Sequence, residues 1–66
     1  MKNKPTFPKQ LKAERKRLGL TQAEADALLD LGHGTIAAWE VERNEPLAVT
    51  KEGVLARLAG MSPKQN

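Results

Sequence analysis

Apolar residues recur along this chain at helical rather than strand spacing. Leu11 and Leu18 stand seven apart, with mostly charged residues between them. Ala25, Leu28, Leu29 and the flanking Leu31 form a second stripe. Ile36, Trp39 and, more weakly, Val41 form a third, and Val54, Leu55 and Leu58 a fourth. The breaks between stripes carry stop and start signals for helices. The first stripe predicts a basic amphipathic helix over 8–18, with Pro8 in its first turn and Gly19 at its C-terminal cap. Thr21, followed three residues later by Glu24, is a capping box that opens a second helix over 22–29. Gly32 and Gly34 interrupt the pattern, and a third helix is expected over 33–41. Residues 42–46 read as a charged loop. Thr50 is the expected cap of a last helix that Gly60 ends. Nothing alternates like a strand, and nothing repeats. The chain therefore divides into a flexible basic arm over 1–7, broken by Pro5, a helical domain over 8–60, and a disordered tail over 61–66.

Sixty-six residues bury only a thin core, so pairing with a second copy would be an ordinary remedy. The absence of Cys excludes a disulfide scaffold and any Cys-based zinc site. The single His has too few partners to hold a metal, and no cofactor is expected. No apolar run approaches the ~20 residues of a membrane helix, and no apolar signal segment follows the basic start. The expectation is a soluble, cytoplasmic protein.

Charge sharpens the picture. Lys2, Lys4, Lys9, Lys12, Arg15, Lys16 and Arg17 crowd the first 17 residues against a single acid, Glu14. The middle of the chain is acidic, with Glu24, Asp26, Asp30, Glu40, Glu42 and Glu45 against Arg43. A basic end suits a polyanion, with nucleic acid the leading candidate, although a solvated tail would look the same. The acidic middle must then turn away from such a partner or be neutralised.

The stretch LGHGTIAAWE decides between a ligand loop and a bend. A phosphate loop would need a longer Gly-rich run after a strand. Two Gly between two short helices instead describe a helix-turn-helix. Gly32 can take the positive φ of a tight turn or serve as an N-cap, and Gly34 allows close approach of another backbone. Ile36 and Trp39, three apart on one face, belong to the core, with Leu11, Leu18, Leu28, Leu29, Leu31 and Leu55 around them. No nucleophile–base pair points to an enzyme.

Residues 11–46 resemble the Xre family, the Cro and repressor class of DNA-binding proteins. Arg15 stands four residues before Gly19. Gly19-Leu20-Thr21-Gln22 matches the opening of the family's second helix, Thr35-Ile36-Ala37-Ala38-Trp39-Glu40 its recognition helix, and Pro46 the Pro after the following loop. The resemblance implies an all-α, lambda-repressor-like domain of four to five short helices, although the fifth is barely accommodated before Asn66. The pattern departs at Asp26, where a small residue usually packs on the turn, and at Glu42, where the family has Gly. The second helix is similar to that of MqsA-type antitoxin DNA-binding domains, whose zinc domain is absent here, and small anti-CRISPR-associated regulators share the size.

The resemblance implies DNA contacts from Gln22, His33, Gly34, Thr35, Ala37, Ala38, Arg43, Asn44 and Lys51. His33 at the start of the third helix would donate to guanine or to phosphate, or else simply face solvent. Ala37 and Ala38 have no hydrogen-bonding side chain and could touch only thymine methyl groups, so specificity would lean on DNA shape and on dimerisation. Lys2 and Lys4 could follow the duplex. Arg15 and Glu40 are expected to pair between the first and third helices. Asp26 either accepts backbone N–H bonds from residues 32–34 or turns to solvent. The surplus apolar residues Leu47, Val49, Val54 and Leu58 suggest a dimer contact. The reading is a homodimeric repressor of its own operon that binds an inverted-repeat operator on double-stranded DNA. A protein-interaction module with a cognate protein partner is the alternative, kept open by the sparse hydrogen bonding of the recognition face.

Overall fold

The computed structural model describes residues 6–63, which form four α-helices: α1 (Phe7–Leu18), α2 (Gln22–Leu28), α3 (Thr35–Glu40) and α4 (Ala48–Ala59). The described residues contain no strand. Lys2, Lys4 and the last residues of the expected tail lie outside the described part.

Each helix has a local cause. Pro8 sits in the first turn of α1, where its missing N–H costs nothing. Arg15, Lys16 and Arg17 place positive charge on the last turn, against the negative end of the helix dipole. The Thr21–Glu24 capping box is complete: the Glu24 N–H donates to Thr21 Oγ1 (3.1 Å) and the Thr21 N–H to Glu24 Oε1 (2.8 Å). Three helices end in the same way. Gly19 (φ 74°), Asp30 (φ 59°) and Glu42 (φ 62°) all turn left-handed. Behind them the N–H groups of Leu20, Leu31 and Arg43 reach back to the carbonyls of Arg15, Asp26 and Ala38 at 2.8–3.0 Å. This is the Schellman closure, which suits Gly and which Asp30 and Glu42 adopt under strain.

The core brings α1 against α4 and α3, and α2 against α3. Leu11, Leu18, Ile36 and Leu58 are fully enclosed, with Phe7, Leu20, Ala25, Leu29, Trp39 and Val54 around them. Phe7 and Trp39 meet edge to face at 5.8 Å between ring centres.

Several expectations change. Phe7, assigned to the arm, opens α1 and is buried, because it lies one turn before Leu11 on the same helical face. Leu28 is half exposed rather than core, since α2 turns Ala25 and Leu29 inward. Val41 is 65% exposed; it follows the last residue of α3 and lies off the face that carries Ile36 and Trp39. Helix α4 starts before Thr50: Leu47 is extended and its carbonyl accepts the Lys51 N–H (2.9 Å), so Thr50 lies inside the first turn. Met61, assigned to the tail, packs on the core.

Candidate nucleic-acid interface

A helix that reads a groove must be held from behind, and α3 is too short to stand alone at six residues. Two polar clusters hold it. The first is Asp26, 4% exposed and aimed from α2 at the turn. The Gly34 N–H donates to its Oδ2 and the Ile36 N–H to its Oδ1, both at 2.9 Å. One carboxylate thus caps the start of α3 and ties it to α2. One bond falls at 34, within the expected 32–34, and the other at 36, because α3 begins two residues later than the spacing predicts. Asp26 therefore does the work usually given to a Ser or Thr cap.

The second cluster joins three helices. Arg15 Nε donates to Glu40 Oε2 (2.7 Å) and a terminal nitrogen to Oε1 (3.1 Å), a two-pronged pair between α1 and α3. The other Arg15 nitrogen donates to the Leu20 carbonyl (2.9 Å), and Gln22 Nε2 donates to Glu40 Oε1 (3.1 Å). Side-chain exposure is only 12% for Arg15 and 5% for Glu40. Burial by itself would raise the Glu40 pKa. The hydrogen bonds from Arg15 and Gln22, with the charges of Arg15 and Lys12, outweigh that burial and hold the carboxyl below its ordinary value. The same hydrogen bond raises the pKa of Arg15.

With its inner face anchored in this way, α3 turns Gly34, Ala37, Ala38 and Val41 outward, at the i, i+3, i+4, i+7 positions of one face. Gly34 is the N-cap, at φ 86°, and a Cβ there would meet nothing within 4 Å. Thr35 is the first residue of α3. His33 is exposed in the turn before the helix rather than on it, because Gly34 intervenes as cap. Arg43 is exposed in the loop after α3. Asn44 lines a cleft with Thr6, Phe7, Trp39 and Pro46.

Two residues assigned to DNA are engaged within the chain. Gln22 gives a donor to Glu40. Lys51 pairs with Glu45 and lies 5.9 Å from the centre of the Phe7 ring. The hydrogen bond and charge of Lys51 hold the Glu45 carboxyl below its ordinary value. Of the dimer candidates, Leu47 (75% exposed) and Val49 (71%) lie at the surface, whereas Val54 and Leu58 are core residues that face α1. Their assignment to a dimer contact is corrected here: on so short a chain the core takes Val54 and Leu58, and only Val49 of the four is left exposed on α4.

The sequence reading also missed Arg17. It donates to the carbonyls of Leu58 (2.9 Å) and Met61 (3.4 Å) and pairs with Glu14, so it fastens the end of α4 to α1. No local signal separates it from its cationic neighbours; only the three-dimensional position of the α4 terminus does.

A family model described as helix-turn-helix matches residues 11–48. No curated protein and no solved structure matches the chain.

Proposed function

Since the chain belongs to the helix-turn-helix family of the Xre and Cro type, we propose that it is a sequence-specific transcriptional regulator that represses its own operon as a homodimer on an inverted-repeat operator. Its class is that of DNA-binding regulatory domains; the finer reading rests chiefly on one observation. Helix α3 is fixed from behind by Asp26 and by the Arg15–Glu40–Gln22 cluster, while Gly34, Ala37 and Ala38 lie partly exposed and Val41 exposed on its opposite face. A rigid helix presented in that way suits the major groove, with His33, Gly34, Thr35, Ala37 and Ala38 toward the bases and Arg43 and Asn44 toward the backbone. Two copies would set their α3 helices about one turn apart, roughly 34 Å. Leu47 and Val49 are the apolar residues left to support the dimer contact. Such a regulator would work in the cytoplasm; no described helix is long and apolar enough to cross a membrane.

The test is a fluorescence anisotropy titration with the duplex just upstream of the coding sequence, against a scrambled duplex, at several salt concentrations. Tight binding to the upstream duplex alone supports the reading. Equal, weak binding to both overturns it. Sedimentation of the free and bound protein gives the stoichiometry; one chain per operator would remove the dimer.

A second reading is an interaction module with a cognate protein partner, as in antitoxins or phage inhibitors. The apolar face of α3, extended by the exposed Val41, favours it. Equal, weak DNA binding in the first experiment would make it the leading reading.

A further inference from the structure

The side chains on the outward face of α3 restrict what that face can read. Bases are distinguished in the major groove by hydrogen bonds and by the thymine methyl group. A guanine reader needs Arg or Lys, and an adenine reader needs Asn or Gln. Helix α3 carries none of these: its sequence is Thr35-Ile36-Ala37-Ala38-Trp39-Glu40. Ile36 and Trp39 are buried. Glu40 is occupied by Arg15 and Gln22, so it cannot accept from cytosine. What remains outward is Gly34, Ala37, Ala38 and, one turn on, the 65% exposed Val41. Gly34 adds no bulk, and the space where its Cβ would stand is open, so the face can approach the base edges closely. Exposed Lys12, Lys16 and Arg43 lie on the flanking elements, and their charge suits a duplex rather than a neutral surface.

We infer that α3 reads thymine 5-methyl groups, with Ala37, Ala38 and Val41 as the contacting side chains, so that the operator half-site is specified by A·T pairs whose methyl groups line the major groove. Thr35 and His33 sit at the rim and can add at most hydrogen bonds at its edge. The inference rests on the DNA-binding reading above and narrows it to a base class. It differs from readout by DNA shape, because a narrow A·T minor groove would attract cations without any need for methyl groups on the opposite side.

Deoxyuridine separates these cases, since it keeps the base pair and the minor groove and removes only the methyl group. The full chain is first used to select bound duplexes from a random library. The selected half-site is then made with dT replaced by dU, one position at a time, at fixed salt. The expected result is a half-site rich in A·T pairs, and at two or three positions a loss of about four-fold for each methyl removed, the value of one buried methyl group. Val41→Ala should abolish the methyl effect at one of those positions and leave the others. A selected site whose affinity is unchanged by every dU substitution overturns this inference and leaves the regulator reading standing. A library from which no duplex is enriched overturns both.

Discussion

Glu42 takes the place where a glycine would cost least. Its φ of 62° is left-handed, and the closure behind it is complete, with the Glu42 N–H on the Trp39 carbonyl and the Arg43 N–H on the Ala38 carbonyl. Glu42→Gly should therefore stabilise the fold by about 0.5–1 kcal/mol, the left-handed strain of a non-glycine residue less the added freedom of the unfolded chain. Urea unfolding at neutral pH measures it; a lower midpoint would show that the Glu42 side chain has a stabilising contact. Glu40 works in the opposite sense. Its carboxyl lies below its ordinary value of 4.5 in the folded chain. The stabilisation it brings is thus fully present above about pH 4.5 and is lost as pH falls through the lowered folded value. Arg15→Ala leaves that buried carboxylate without its partner and should cost about 3–5 kcal/mol at neutral pH, enough to unfold most of so small a domain. Glu40→Gln removes the titrating group, so its deficit against the parent should shrink on acidification. Thermal melts from pH 7 to 3 follow both, and an Arg15→Ala melt equal to the parent's would sink the structural role of the pair.

At the scale of elements, the join between α2 and α3 depends on one carboxylate. Asp26→Ala leaves the N–H groups of Gly34 and Ile36 without an acceptor and should cost about 3 kcal/mol, as expected for two charge-assisted bonds. Asp26→Asn keeps one carbonyl oxygen but sets an NH2 against the other N–H, so it should fall between the two. Hydrogen exchange at Gly34 and Ile36 reads the effect directly: protection unchanged in Asp26→Ala would refute the fork. This device was half legible in the sequence. An acid in place of a small residue signals that something faces the turn, but the acceptor positions depend on where α3 starts, and the spacing sets that start two residues early because it gives the positive φ to Gly32, whereas Gly34 takes it as the cap. The helices themselves were legible because caps, Gly and Pro agree with the apolar period. The faces of short helices were not. With six or seven residues, one misplaced end rotates the assignment, and so Leu28, expected in the core, and Val41, expected more weakly on the apolar stripe, are both exposed. Phe7 was missed although it continues the Leu11–Leu18 series, because Pro5 and Pro8 on either side suggested an extended arm. Of the site, the Arg15–Glu40 pair is implied by the family resemblance and the turn follows from the two Gly between short helices, whereas Lys51, Arg17 and Val54 required the packing of α4.

For the molecule as a whole, the question is which cations are available to a polyanion. Seven basic side chains in the first 17 residues suggested ample attraction. Two of them, Arg15 and Arg17, are committed to holding helices together, and Lys51 is paired with Glu45. Among the described residues Lys9, Lys12 and Lys16 on α1, Arg43 after α3 and Arg57 on α4 stay exposed. Each phosphate contact contributes about −0.9 to the slope of log affinity against log salt. Five contacts would give at most roughly −4 to −5 per protomer, a moderate dependence that leaves room for non-electrostatic contacts by α3. Lys16 and Arg17, adjacent in sequence and equal in charge, make the decisive comparison. Lys16→Ala should lower the magnitude of the slope by about one and leave the melting temperature unchanged. Arg17→Ala removes the bonds to the Leu58 and Met61 carbonyls and should cost about 1 kcal/mol, or roughly 4–8 °C, with the slope unmoved. Duplex titrations at several salt concentrations, beside thermal melts of the same two variants, measure both quantities. If the two variants behave alike, the division of the basic end into structural and DNA-facing cations is wrong.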